Sequence, residues 1–163
     1  ILPALFAFVL VVLVPAVKGF YYSFTDWNGI GKNAVFVGIS NYGKLLSDSR
    51  FWNSFLFTFV FAICSVICIN AVGFGLPLVA PAFAIGLFLS ISDSFKMFDQ
   101  NLSLTGGEPM HQTEMMALNI YDTFYGRVGY EGVGQAKAVI FFIIVVAIGM
   151  IQLYATKSKE VQQ

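Results

Sequence analysis

This sequence predicts an all-α fold, an integral membrane helical bundle with about four transmembrane helices, and three observations predict it. Of its 163 residues, 58% are hydrophobic and 11% are charged, roughly half the charged share of a soluble domain. The apolar residues fall into long uncharged runs, at residues 1–17, 51–92 and 138–156. The charges gather in two connections, residues 25–50 and 93–137, and in a short tail. A mean hydropathy of +0.78 is more apolar surface than a water-soluble chain of this length can bury. Net charge is zero, so a basic face for nucleic acid is not expected, whereas membrane lipid is.

The first run, "ILPALFAFVLVVLVPAV", leads through Lys18 into "GFYYSFTDW". Lys18 can snorkel. The cluster of Phe20, Tyr21, Tyr22, Phe24 and Trp27 suits a membrane–water boundary. We read helix one as roughly residues 1–24, with Pro15 a kink that lipid tolerates. A secretory leader would place basic residues before such a run. Ile1 lies inside it, which leads us to expect a missing or trimmed start.

The first connection holds Gly29, Gly31 and Gly38. Within it "SNYGKLLSD" predicts a short amphipathic helix capped by Ser40. The next 42 residues, Phe51 to Ser92, carry no charge. As one helix they would measure roughly 63 Å, about twice the hydrocarbon core, so two spans are expected. The break falls in "NAVGFGLPLVAP", where glycines and prolines crowd. Two spans consume nearly the whole run, leaving no polar turn.

In the second connection, "TEMMALNIYDTFYG" puts Met115, Leu118, Ile120 or Tyr121, and Phe124 near one face, with Thr113 as the N-cap. This is either a helix packed on neighbouring spans or one lying in the membrane interface. "YGRVGYEGVGQ" reads as a Gly-rich bend, and residues 138–156 as the last span. Lys32, Lys44, Arg50, Lys96, Arg127 and Lys137 on the connections against Lys157 and Lys159 on the tail leave the orientation even on charge alone.

Chemistry is sparse. Cys64 and Cys68 share a helix face but supply only two metal ligands, so small core residues explain them better. His111 is the only histidine and reads as a surface polar group. Asp93 and Asp99 read as solvated boundary charges rather than an acid/base pair. "TGGEPMHQ" lacks the Lys and the following Ser or Thr that a nucleotide-cradling loop needs. It reads as a tight turn in which Gly106 or Gly107 takes a positive φ and Pro109 gives a stiff exit. Asn101 opens an N-glycosylation sequon, a match that arises often by chance. No enzyme chemistry is expected, and no cofactor bound to this chain.

Five segments, in order, carry a resemblance: "SFTDWNG", "FVGISNYGKLLSDSRFWNSFLFT", "LPLVAPAF", "SFKMFDQNLSLTGGEP" and "TEMMALNIYDTFY". They resemble the permease subunits of bacterial sugar ABC importers, of the maltose-permease type, over nearly the whole chain. The resemblance implies a multi-pass inner-membrane subunit with both termini cytoplasmic and both connections outside. It implies a second permease, a cytoplasmic ABC ATPase dimer that consumes the ATP, and an extracytoplasmic sugar-binding protein as partners. Phe98, Asp99, Thr105, Gly106, Gly107 and Pro109 match the family's external-loop motif, with Glu108 where the family often has a third glycine. The family's cytoplasmic EAA loop is missing. The chain therefore reads as one permease-like domain with a deletion junction near residues 75–76, where on the order of a hundred residues and two of the spans usual in such bundles are lacking. That explains the missing polar turn. The function implied is the membrane-spanning permease component of an ATP-driven, binding-protein-dependent carbohydrate importer, in a truncated and inactive form. The alternative is a non-transporting four-span protein that anchors or binds a partner. Asn53, Asn70 and Gln152 are the in-span polar residues that could touch a sugar path, though helix–helix hydrogen bonding is the simpler role for them.

Overall fold

The computed structural model describes residues 2–31, 34–73, 93–94 and 97–160, and the statements below concern these. The described elements are helical: α1 (Leu2–Phe8), a π-helical turn (Val9–Leu13), α2 (Val14–Tyr22), α3 (Ser40–Leu46), α4 (Ser49–Gly73), α5 (Phe98–Leu104), α6 (Met116–Gly126) and α7 (Glu131–Glu160). Three stretches are long and apolar enough to cross a membrane, Leu2–Tyr22, Ser49–Cys68 and Glu131–Ile151. The expected third span, the junction near residues 75–76 and Lys96 lie outside the described residues.

The chain forms two compact units, Ile1–Ser49 with Ile120–Ile140, and Arg50–Asn119 with Phe141–Gln163. In the first unit, α1, the π turn and α2 run on as one span. Pro15 has no N–H to give the preceding turn. Just ahead of it the register slips, and Val14 N–H bonds the Val9 carbonyl five residues back. Such a π turn absorbs a proline without breaking the helix. None of this span is buried in the chain, and Leu5, Phe6 and Val11 are all more than half exposed. That is the surface of a helix solvated by lipid.

After Tyr22 the chain turns sharply. Ser23 donates to the Phe20 carbonyl (2.6 Å) and Thr25 to the Tyr22 carbonyl (2.9 Å), satisfying carbonyls at the helix end. Thr25 and Phe36 then pair in an isolated antiparallel bridge. In α3, Ser40 is the first helical residue rather than the cap. Ile39 holds the cap position with no side-chain bond, directly after Gly38, which turns the chain at φ +60°.

The last helix begins at Glu131, earlier than expected, and the supposed Gly-rich bend shrinks to residues 127–130. Gly132 and Gly134 are helical. A Cβ on Gly132 would overlap the Thr25 carbonyl oxygen, and one on Gly134 would meet Phe124 at 3.0 Å. These glycines let neighbouring segments approach the helix backbone; they do not bend it.

In the second unit, α4 buries Phe51, Ser54, Thr58 and Ala62, a stripe at spacings of three and four. Removing each large apolar side chain of this core from water, Phe51, Met116 and Leu118 among them, contributes about 1.5–3 kcal/mol. Helix α6 starts three residues after Thr113, which caps nothing. The Thr113 hydroxyl donates to the Glu108 carbonyl (2.6 Å). The orphan N–H groups are taken by distant side chains, Met115 N–H by Asn101 Oδ1 (2.9 Å) and Met116 N–H by Thr58 Oγ1 (2.8 Å). The expected apolar stripe is also partly displaced. Met115 and Leu118 are buried, but Tyr121 is exposed, and Asn119 and Thr123 take buried positions.

Candidate functional site

The charges of the connections do not all sit in water. In the second unit Glu114 is fully buried and grips Arg50 in a two-pronged pair, Nε to Oε2 at 2.5 Å and Nη2 to Oε1 at 2.6 Å. Arg50 opens α4, and its planar fork matches the carboxylate. His111 is half exposed with Nδ1 3.7 Å from Glu114 Oε2. As expected it faces the surface, yet it borders the pair.

The glycine turn is built against this pair. Gly106 and Gly107 both take positive φ, +56° and +88°, so both supply the expected backbone. Gly107 is the more constrained, since a Cβ there would lie 3.2 Å from the Glu114 Cβ. Thr105 donates to the Asn101 carbonyl (3.2 Å) and accepts the Gly107 N–H (3.3 Å). Glu108, the departure from the three-glycine form, accepts the Met110 N–H at 3.1 Å. Met110 and His111 also have positive φ, and the carboxylate steadies that backbone. The Pro109 carbonyl accepts the Gln112 N–H (3.0 Å). Phe98 and Asp99 open α5, with Asp99 exposed, as is Asp93.

Asn101 is the hub that sequence reading missed. It is buried, and its amide donates to Thr105 Oγ1 (3.1 Å) and the Thr113 carbonyl (2.7 Å) while accepting the Met115 N–H. The sequon amide is thus fully engaged inside the fold.

In the first unit the polarity is reversed. Lys137, fully buried on α7, donates to Asp48 Oδ2 (2.7 Å) and Thr123 Oγ1 (2.8 Å). Arg127 approaches the same Asp48 oxygen at 3.9 Å. In the same unit Asn41 is buried and donates to the Ser23 (3.0 Å) and Thr25 (2.7 Å) carbonyls. Asp48 and Arg50 bracket the start of α4, and each has a buried partner of opposite sign. The signal for Lys137 and Glu114 was present, since each charge abuts an apolar stretch, "AVIFF" and "MMAL". Nothing local named the partners, which lie 89 and 64 residues away.

Of the sugar-path candidates, Asn53 is exposed on α4. Asn70 and Gln152 fall in helices, but their side chains lie outside the described residues. Cys64 and Cys68 are free and exposed on α4, not the core residues expected, because the span keeps most of its surface for lipid.

Apolar helices of crossing length, with ion pairs buried where their polar flanks begin, define a multi-pass helical membrane protein. No family model matches the chain. Among curated proteins it is similar to a probable starch degradation products transport system permease, AmyD, of Thermoanaerobacterium thermosulfurigenes. The two are 30% identical over 276 positions, covering 99% of this chain and 94% of that protein. It is also 31% identical over 78 residues to a trehalose/maltose transport system permease, MalF, of Thermococcus litoralis, covering 48% of this chain and 26% of that one. A multiple sugar-binding transport system permease, MsmF, of Streptococcus mutans is 40% identical over 53 residues, covering 32% of this chain and 18% of that protein. The chain belongs to the permease subunits of sugar ABC transporters, and it is a membrane permease component of a carbohydrate importer. The partner-anchoring alternative is not favoured.

Proposed function

We propose that this chain is a shortened permease of a binding-protein-dependent importer, with both termini cytoplasmic and the two connections on the outer face. Its cargo class is starch degradation products or sugars such as maltose and trehalose, by similarity to what the relatives' names state. A second permease, an extracytoplasmic sugar-binding protein and a cytoplasmic ATPase pair complete the assembly, and ATP is hydrolysed on the ATPase. The observation that carries this reading is the alignment with AmyD, which spans nearly all of both proteins.

That alignment also supports an internal deletion. It is 276 positions long, which a chain of 163 residues cannot fill. In this reading the missing stretch is the family's centre, between about Gly75 and Leu76, and it includes the loop that docks on the ATPase. The chain as it stands then inserts into the membrane but does not couple ATP to transport. Asn53, Asn70 and Gln152 are the span residues proposed for sugar contact, with helix–helix hydrogen bonding the simpler role.

The test is complementation in cells lacking the permease. We expect membrane insertion, no sugar uptake and no co-purification of the ATPase. Grafting the relative's central stretch at residues 75–76 should restore both. Uptake by the unaltered chain would overturn the deletion reading, and a graft that recruits no ATPase would overturn the assembly.

A further inference from the structure

The 120–126 portion of α6 is inside out for a helix in water. Its polar Thr123 is buried and bonded to Lys137. Its exposed side chains are aromatic, Tyr121 at 45% and Tyr125 at 71%, while the charged Asp122 between them is half-buried. A soluble amphipathic helix does the reverse.

These tyrosines also end an unbroken chain of ring contacts within the first unit. It runs from Tyr21 to Tyr22 (5.7 Å), to Trp27 (4.1 Å, stacked), to Phe124 (6.2 Å), to Tyr125 (4.8 Å) and to Tyr121 (4.9 Å). The chain starts where the first membrane-crossing stretch, Leu2–Tyr22, ends. On the other side of α6, four residues lead into the last crossing stretch, and of these Val128 is 94% exposed and Tyr130 43%. Both flanks are therefore tied to points where the chain enters the bilayer.

We infer that residues 120–126 lie in the headgroup layer of the membrane, with Tyr121 and Tyr125 as lipid anchors. This rests on the membrane reading of the family but adds a lipid contact in the middle of a polar connection. A phenol ring meets both needs of that layer, an apolar body for the acyl boundary and a hydroxyl for the headgroups. The contact surface is continuous with the ring cluster at the end of the first span, and so the occupant is lipid.

The experiment uses the full chain in phosphatidylcholine–phosphatidylglycerol liposomes, with Cys64→Ser and Cys68→Ser as background. Spin labels go on Tyr121→Cys, Tyr125→Cys, Val11→Cys in the first span, and Gln112→Cys at an exposed turn. Collision with oxygen, enriched in lipid, is compared with collision with a water-soluble nickel chelate. We expect the oxygen-to-nickel ratio at 121 and 125 to fall between those at 11 and 112, several-fold above the latter. A ratio equal to that at Gln112→Cys, or exclusion of both reagents by a protein contact, would overturn the inference. A water-like ratio at Val11→Cys would sink the membrane reading itself and this contact with it. Tyr125→Trp with Trp27→Phe and Trp52→Phe keeps every ring. Its fluorescence should be quenched by nitroxide at the headgroup rather than by aqueous iodide, and preferential quenching by iodide would also overturn the inference.

Discussion

Glu114 is where a single atom matters most. A buried carboxylate costs several kcal/mol to desolvate, and only a close, well-directed partner repays it. Both Glu114 oxygens meet the Arg50 fork, so removing one partner strands the other. Arg50→Ala or Glu114→Ala should each destabilise the detergent-solubilised protein by about 3–5 kcal/mol. The double variant should cost much less than their sum, read from thermal unfolding followed by circular dichroism. Additive losses would mean that the pair is not coupled. Asn101 gives a second prediction. Asn101→Ala would leave the Thr113 carbonyl and the Met115 N–H without these bonds inside the fold and should destabilise the second unit by about 1–3 kcal/mol. An unchanged midpoint of thermal unfolding would refute this. Sequence showed which residues were charged and which could turn. The partners of Glu114 and Lys137 were hidden, since they lie 64 and 89 residues away, and so was the burial of Asn101, whose nearby bonds follow from how the turn folds back.

Among the elements, the start of α7 depends on what it lacks. Gly132 leaves room for the Thr25 carbonyl and the Asn41 amide, and Asn41 in turn satisfies that carbonyl. Gly132→Ala should push Thr25 away and destabilise the first unit by about 1–3 kcal/mol. The check is faster amide exchange at Thr25 and Asn41, with exchange across α5 unchanged. The turn before α6 offers a graded comparison. Gly106→Ala meets only the backbone cost of a left-handed residue, about 1–2 kcal/mol. Gly107→Ala adds the crowding with Glu114 and should lower the melting temperature further. The glycine turn, the first span and the short helix at Ser40 were legible in composition and spacing. The extent of α7 was not, because glycines that admit a neighbour look, in sequence, like glycines that end a helix. Its N-cap aside, α6 was foreseen as an element; which face it buries was not, since Thr123 is held inward by Lys137.

For the whole molecule, the solvent is the deciding quantity. No residue of the first span is buried within the chain, an apolar exposure that suits a helix in lipid rather than in water. Membranes carrying the protein should therefore retain it through alkaline carbonate washing and release it with detergent. Recovery in the carbonate supernatant would contradict the all-α membrane fold. This level was the most legible of all, since uncharged runs of crossing length need no tertiary information. The family followed from ordered segments, each too short to decide alone, and the near full-length match with AmyD agrees with it.

The bracketing of α4 by Asp48 and Arg50 has a consequence for anyone who recombines these proteins. Because the two neighbours answer to partners of opposite sign, Lys137 and Glu114, the four residues form an exchangeable set. A chimera that takes the α4 entry from one homologue and the later segments from another, with the charges inverted in only one parent, would face two like-charge clashes at once. Crossover points that keep all four together should be the ones that yield folded hybrids.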